Sequence, residues 1–65
     1  MKKIIKGFIE EITAAAKKGS REEILNVFYN ENGIDLAYQH EKITWNEHQM
    51  LLNLINAILV NIPEK

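Results

Sequence analysis

Two histidines, each beside a glutamate, are the first residues in this sequence that could do chemistry: His40-Glu41 and Glu47-His48. An imidazole next to a carboxylate can hold a metal ion or pass a proton. The spacing argues against both. Hydrolytic zinc sites of the helical kind need two histidines one turn apart with a glutamate between them. Here the histidines stand eight residues apart, with a helix-start signature between them. His48 instead falls within an apolar helical arc beside Ile55 and Leu59, the position of a semi-buried histidine at a core edge or an interface.

The remaining candidates are equally poor in chemistry. The absence of cysteine excludes disulfides and thiolate metal ligation. Ser20, the only serine, stands where a helix needs its cap, and Gly7, Gly19 and Gly33 are too scattered to form a phosphate-cradling loop. The pairs Glu10-Glu11 and Glu22-Glu23 point in neighbouring, solvated directions on their helices. No catalytic set, cofactor site or metal site is expected, and the chain reads as non-enzymatic.

Binding residues are easier to find. Lys2, Lys3, Lys6, Lys17 and Lys18 oppose only Glu10 and Glu11 in the first eighteen residues. After Gly19 the balance reverses: Arg21, Lys42 and Lys65 face seven carboxylates, so 3 − 7 = −4. Of the acidic residues, Glu22, Glu23, Asp35 and Glu41 are candidates for contact with a basic partner, alongside the aromatic anchors Tyr38 and Trp45. The lysines support an alternative reading, a minimal DNA-binding regulator with phosphate contacts from the first helix. That reading is not favoured. The net charge is −1, and Asn46, Gln49, Asn53 and Asn56 have no basic residues among them to dock a recognition helix.

The elements that must position these residues are legible from their punctuation. Lys17-Lys18-Gly19 predicts a helix end, with lysines at the negative pole and glycine in the left-handed cap. Ser20-Arg21-Glu22-Glu23 and Thr44-Trp45-Asn46-Glu47 both match a capping box. A first helix from Lys3 to Lys18 puts Ile4, Ile5, Phe8, Ile9, Ile12, Ala15 and Ala16 on one arc of roughly 140°. A last helix, from Trp45 to Asn61 and closed by Pro63, carries Leu51, Leu54, Ile55, Ile58 and Ile62, flanked by Leu52, Leu59 and Met50. Its apolar arc is roughly 200° wide, about twice what one core requires. Either that helix sits between others or its second flank meets another chain.

The middle reads two ways. Ser20 to Glu31 fits a helix stopped at Gly33, with Ile34 packing back on Tyr29. Alternatively Leu25, Val27 and Tyr29 alternate, Asn32-Gly33 turns, and Ile34, Leu36 and Tyr38 alternate again as a hairpin. The helix is favoured, because a cap at Ser20 would be wasted before a strand. Residues 34–42 stay open between a short helix and an extended segment.

The expected architecture is therefore all-α: one domain over residues 1–65 built from three helices, with a possible short extended or hairpin element around residues 25–42. A chain of this length buries only roughly 60% of its unfolded surface, and without disulfides self-association is the compensation left open. A homodimer through the last helix is expected, with Met50, Leu52, Ile55, Leu59 and Ile62 as its contacts. The start of the chain lacks the uninterrupted apolar stretch of a signal peptide, and nothing reaches the roughly 18 apolar residues of a membrane span. A cytoplasmic regulator, inhibitor or assembly adaptor that occupies a protein partner's surface is the function expected. Heavy use of Ile, Lys and Asn points to an AT-rich genome, a context that suits a phage or mobile-element accessory protein.

Overall fold

The computed structural model describes residues 2–62 as four helices in chain order: α1 (Lys3–Lys18), α2 (Arg21–Tyr29), α3 (Ile34–Gln39) and α4 (Trp45–Val60). No strand occurs among the described residues, so the hairpin over residues 25–42 is not formed. Three of the helices are the expected ones. The fourth, α3, is the six-residue resolution of the ambiguous middle. Pro63, Glu64 and Lys65 lie outside the described residues, and with them the role of Pro63 as a helix stop.

Local chemistry explains the breaks. Gly19 closes α1 in the left-handed conformation (φ 67°), its N–H donating to the Ala16 carbonyl, with Lys17 and Lys18 in the last turn. Ser20 caps α2 by accepting from the Glu23 N–H at 3.2 Å. The reciprocal half of that capping box does not form, because the Glu23 carboxylate is drawn to Lys18 at 3.1 Å. At α4 the box is complete: the Thr44 hydroxyl accepts from the Glu47 N–H, and the Glu47 carboxylate accepts from the Thr44 N–H at 2.8 Å.

Gly33 does not stop α2. The helix ends at Asn30, and Gly33 is extended (φ −87°, ψ −176°) at the N-terminus of α3. Glycine is needed there for closeness: a Cβ would lie 2.7 Å from the carbonyl oxygens of both Val27 and Phe28. Ile34 is fully buried while Tyr29 is exposed. The stop that lacked any glycine cue lies after α3. Glu41 adopts φ 60°, its N–H donates to the Tyr38 carbonyl, and the Lys42 N–H reaches back to Ala37 at 2.8 Å. This paired pattern is a Schellman termination with a glutamate in the position glycine usually takes.

The core gathers one face from every helix. Ile5, Phe8, Ile12 and Ala15 of α1 meet Ile24, Val27 and Phe28 of α2, Ile34 and Ala37 of α3, Ile43, and Leu51 and Ile55 of α4. Helix α4 touches all three others, and this accounts for its wide apolar arc. Leu52, Leu54, Ile58, Leu59 and Ile62 pack against the core from the flanks of the central pair. Its C-terminal end is held by Arg21, whose Nη1 donates to the carbonyls of Leu59 (2.8 Å) and Ile62 (2.9 Å). A cation on unsatisfied terminal carbonyls satisfies acceptors and opposes the helix dipole together.

Candidate functional site: an aromatic edge around His48

The short helix α3 lies against the start of α4, and this brings Tyr38 and Trp45 together with ring centroids 5.4 Å apart. His48, one turn into α4, sits beneath both. Its ring is 5.5 Å from Trp45 and nearly parallel to it, 5.0 Å from Tyr38, and 5.3 Å from Phe28 of α2. Phe28 in turn meets Tyr29 edge-on at 4.9 Å. Five rings thus form a continuous chain from Tyr29 on one side to Trp45 on the other. The inner members are buried or half-buried, whereas Tyr29 is 69% and Trp45 55% exposed.

His48 is 6% exposed, far more enclosed than a core-edge histidine. Its Nδ1 lies 3.1 Å from the side-chain amide nitrogen of Gln49, and in the tautomer that accepts this bond at Nδ1 the proton sits on Nε2. Nε2 has no hydrogen-bond partner. The Asp35 carboxylate stands 3.5 Å away, close enough for attraction but outside hydrogen-bond geometry, and is itself engaged by the Gln39 amide at 3.2 Å. A buried N–H without an acceptor costs about 1–3 kcal/mol. The pairing of Asp35 with His48 was invisible in the sequence, because it depends on how α3 docks on α4.

A serine or threonine nucleophile needs a general base within hydrogen-bond reach. The hydroxyls of Ser20 and Thr44 accept helix-capping bonds, and Thr13 donates to the Ile9 carbonyl. No group of three or more His, Asp or Glu side chains among the described residues is placed to hold a metal ion.

The other candidates disperse. Glu22 and Glu23 are exposed beside Leu25, Asn26 and Tyr29, where they rim a shallow depression on α2. Asp35 is half-buried under the aromatic edge, and Glu41 is exposed at the end of α3. Of the lysines, Lys2 pairs with Glu47 at 3.0 Å and Lys18 with Glu23 at 3.1 Å; Lys3, Lys6 and Lys17 are exposed on α1. Glu47 is held below the usual carboxylate range, first by the Thr44 N–H and then by Lys2. Of the self-association candidates, Ile55 is buried in the protein's own core; Leu52, Leu59 and Ile62 are partly covered; Met50 is 47% exposed.

A second concavity, about 320 Å³, opens over Gly7 between α1 and α3. Glu11, Glu31, His40 and Lys42 are among the residues that line it, a mixed set with no single electrostatic preference. No helix among the described residues is long and apolar enough to cross a membrane. Compared with protein-family models, with curated proteins and with solved structures, the chain matches none.

Proposed function

We propose that this protein is a small, non-enzymatic interaction module, a regulator, inhibitor or assembly adaptor that docks a protein partner on the edge between Tyr29 and Trp45. The observation that carries this reading is the exposure of these two rings at the ends of a chain rooted in the core. A domain of this size has few large apolar side chains to bury, yet its single tryptophan stands mostly in solvent. Tyrosine and tryptophan held rigid by packed neighbours lose little entropy on binding, which is why they dominate interface hot spots.

The acidic rim suggests the partner's chemistry. Glu22 and Glu23 flank Tyr29, and Asp35 lies under the Tyr38–Trp45 pair. An apolar anchor bordered by carboxylates suits a basic protein surface, such as one that otherwise holds nucleic acid. Direct nucleic-acid binding is less well supported, since Lys2 and Lys18 are engaged by carboxylates.

The test is site-specific photocrosslinking in the source cells, with a benzophenone amino acid at position 29. One discrete protein adduct is expected, lost with Trp45→Ala and weakened by charge reversal at Glu22, Glu23, Asp35 and Glu41. An adduct indifferent to all of these changes would show that the edge is not the docking surface.

A further inference from the structure

The concavity between α1 and α3 shares no residue with the aromatic edge. It is lined by a glycine that the fold itself does not require. Gly7 stands inside α1, where glycine costs about 1 kcal/mol relative to alanine. Its backbone is not left-handed, and a Cβ there would meet no atom within 4 Å. Neither a turn nor a close neighbour explains the residue. What the missing side chain does is leave the surface of α1 bare where it lines the cavity.

The charges around this cavity are sorted by sign. One wall follows α1 from Ile4 through Gly7 to Glu11, and the other runs from Glu31 through Leu36 to His40 and Lys42. The start of α1 lies beside the end of α3, since Lys2 borders a depression with Gln39 and Glu41 and pairs with Glu47. The two walls are therefore antiparallel. Glu11 and Glu31 share one end, His40 and Lys42 stand at the other, and Phe8, Leu36 and Ala37 supply apolar surface between them. None of the four polar side chains makes an ion pair or a hydrogen bond among the described residues, although Lys2 and Lys18 both find carboxylates. Opposite charges that border one cavity and do not pair are held apart by it. From Ile4 to Glu11 the helix rises about 10 Å.

We propose that this cavity binds an elongated zwitterion, a short peptide of about three small residues with both termini free. Its ammonium meets Glu11 and Glu31, its carboxylate meets Lys42 and a ring N–H of His40, and its backbone crosses the bare surface at Gly7. Length and sign select this class together. Three extended residues span about 10 Å, the separation of the two charged ends. A single α-amino acid carries its charges too close together to reach both. A polyanion is repelled at the glutamate end and a polyamine at Lys42. The volume of about 320 Å³ lies at the small end of ligand sites and leaves room for small side chains only.

The test is backbone-amide NMR on the full chain titrated with trialanine. Saturable shifts are expected at Gly7, Leu36 and Ala37, and none at Tyr29 or Trp45. Acetylating the peptide's N-terminus or amidating its C-terminus should each weaken binding at least about fivefold. Glu11→Gln combined with Glu31→Gln should weaken the free peptide and leave the N-acetylated one unaffected, whereas Lys42→Gln should weaken the free peptide and spare the C-amidated one. Gly7→Leu fills the cavity and should abolish binding while the thermal midpoint holds or rises. Absence of saturable shifts at the cavity, blocked peptides that bind as well as the free one, or binding that survives Gly7→Leu would each overturn the proposal.

Discussion

Helices α1 and α4 have the same length, sixteen residues each, and opposite surfaces. α1 is amphipathic in the ordinary sense: Ile5, Phe8, Ile12 and Ala15 face the core, and Lys3, Lys6, Glu10, Glu11, Lys17 and Lys18 face water. α4 has a broader apolar side, absorbed by three neighbours, and an outer face of amides with Trp45, Met50, Ala57 and Val60. A charged outer face is hydrated through its ammonium and carboxylate groups. A neutral one of the same length meets water through its amides, and Trp45, the anchor proposed for a partner, stands at its start.

The comparison is tested most severely in the core, where the two helices should behave alike. Ile12→Ala and Leu51→Ala remove side chains that are both fully buried. Each should destabilise the fold by about 2–5 kcal/mol in urea unfolding. A much smaller loss at Leu51 would mean that α4 is held mainly through its neighbours' backbones.

The ends of α4 should matter next. Arg21→Ala leaves the carbonyls of Leu59 and Ile62 without that donor and is expected to lower stability by about 1–3 kcal/mol. Amide hydrogen exchange should quicken in the last turn of α4 and stay unchanged in α1. Exchange rising equally in both helices would deny Arg21 its role as a terminal clamp.

His48→Phe sharpens the contrast in the other direction. It removes an N–H that lacks an acceptor and keeps a ring among Phe28, Tyr38 and Trp45, so stability should be unchanged or rise by about 1 kcal/mol. Destabilisation beyond that would show that the 3.5 Å approach of Asp35 holds α3 on α4.

A small effect belongs to a link between the N-termini of the two helices, Lys2 with Glu47. The folded protein holds the Glu47 carboxyl below its usual value of 4.5. The stabilisation this brings is therefore present above that value and lost as pH falls through the lowered one. Glu47→Gln should be slightly less stable than the native chain at neutral pH, and the gap should close in acid. A gap that stays constant down to strongly acidic pH would show that neither the Thr44 N–H nor Lys2 favours the ionised carboxylate. Glu41→Gly should raise stability by about 0.5–1 kcal/mol by relieving a left-handed glutamate.

Residue types and spacing alone determined α1 and α4, because caps and apolar periodicity are local properties, whereas α2 was favoured over a hairpin only by the cap at Ser20. Lys17-Lys18-Gly19 and Thr44 through Glu47 mark the observed boundaries, and the apolar stripe of α1 is its buried face. The end of α3 was not legible, since a glutamate fills the left-handed position that glycine would have announced. Gly33 misled for the opposite reason: its requirement is a close backbone contact made by folding, not a local conformation. Nor could sequence decide whether the wide arc of α4 served the core or another chain. Periodicity counts apolar side chains around a helix without knowing how many neighbours it has. Only the tertiary structure, by packing α4 against three helices, enclosed Ile55 and His48 and left the rings of Trp45 and Tyr29 facing outward. Contacts such as Asp35 with His48 and Arg21 with Leu59 arise from docking between elements, and no local pattern encodes them.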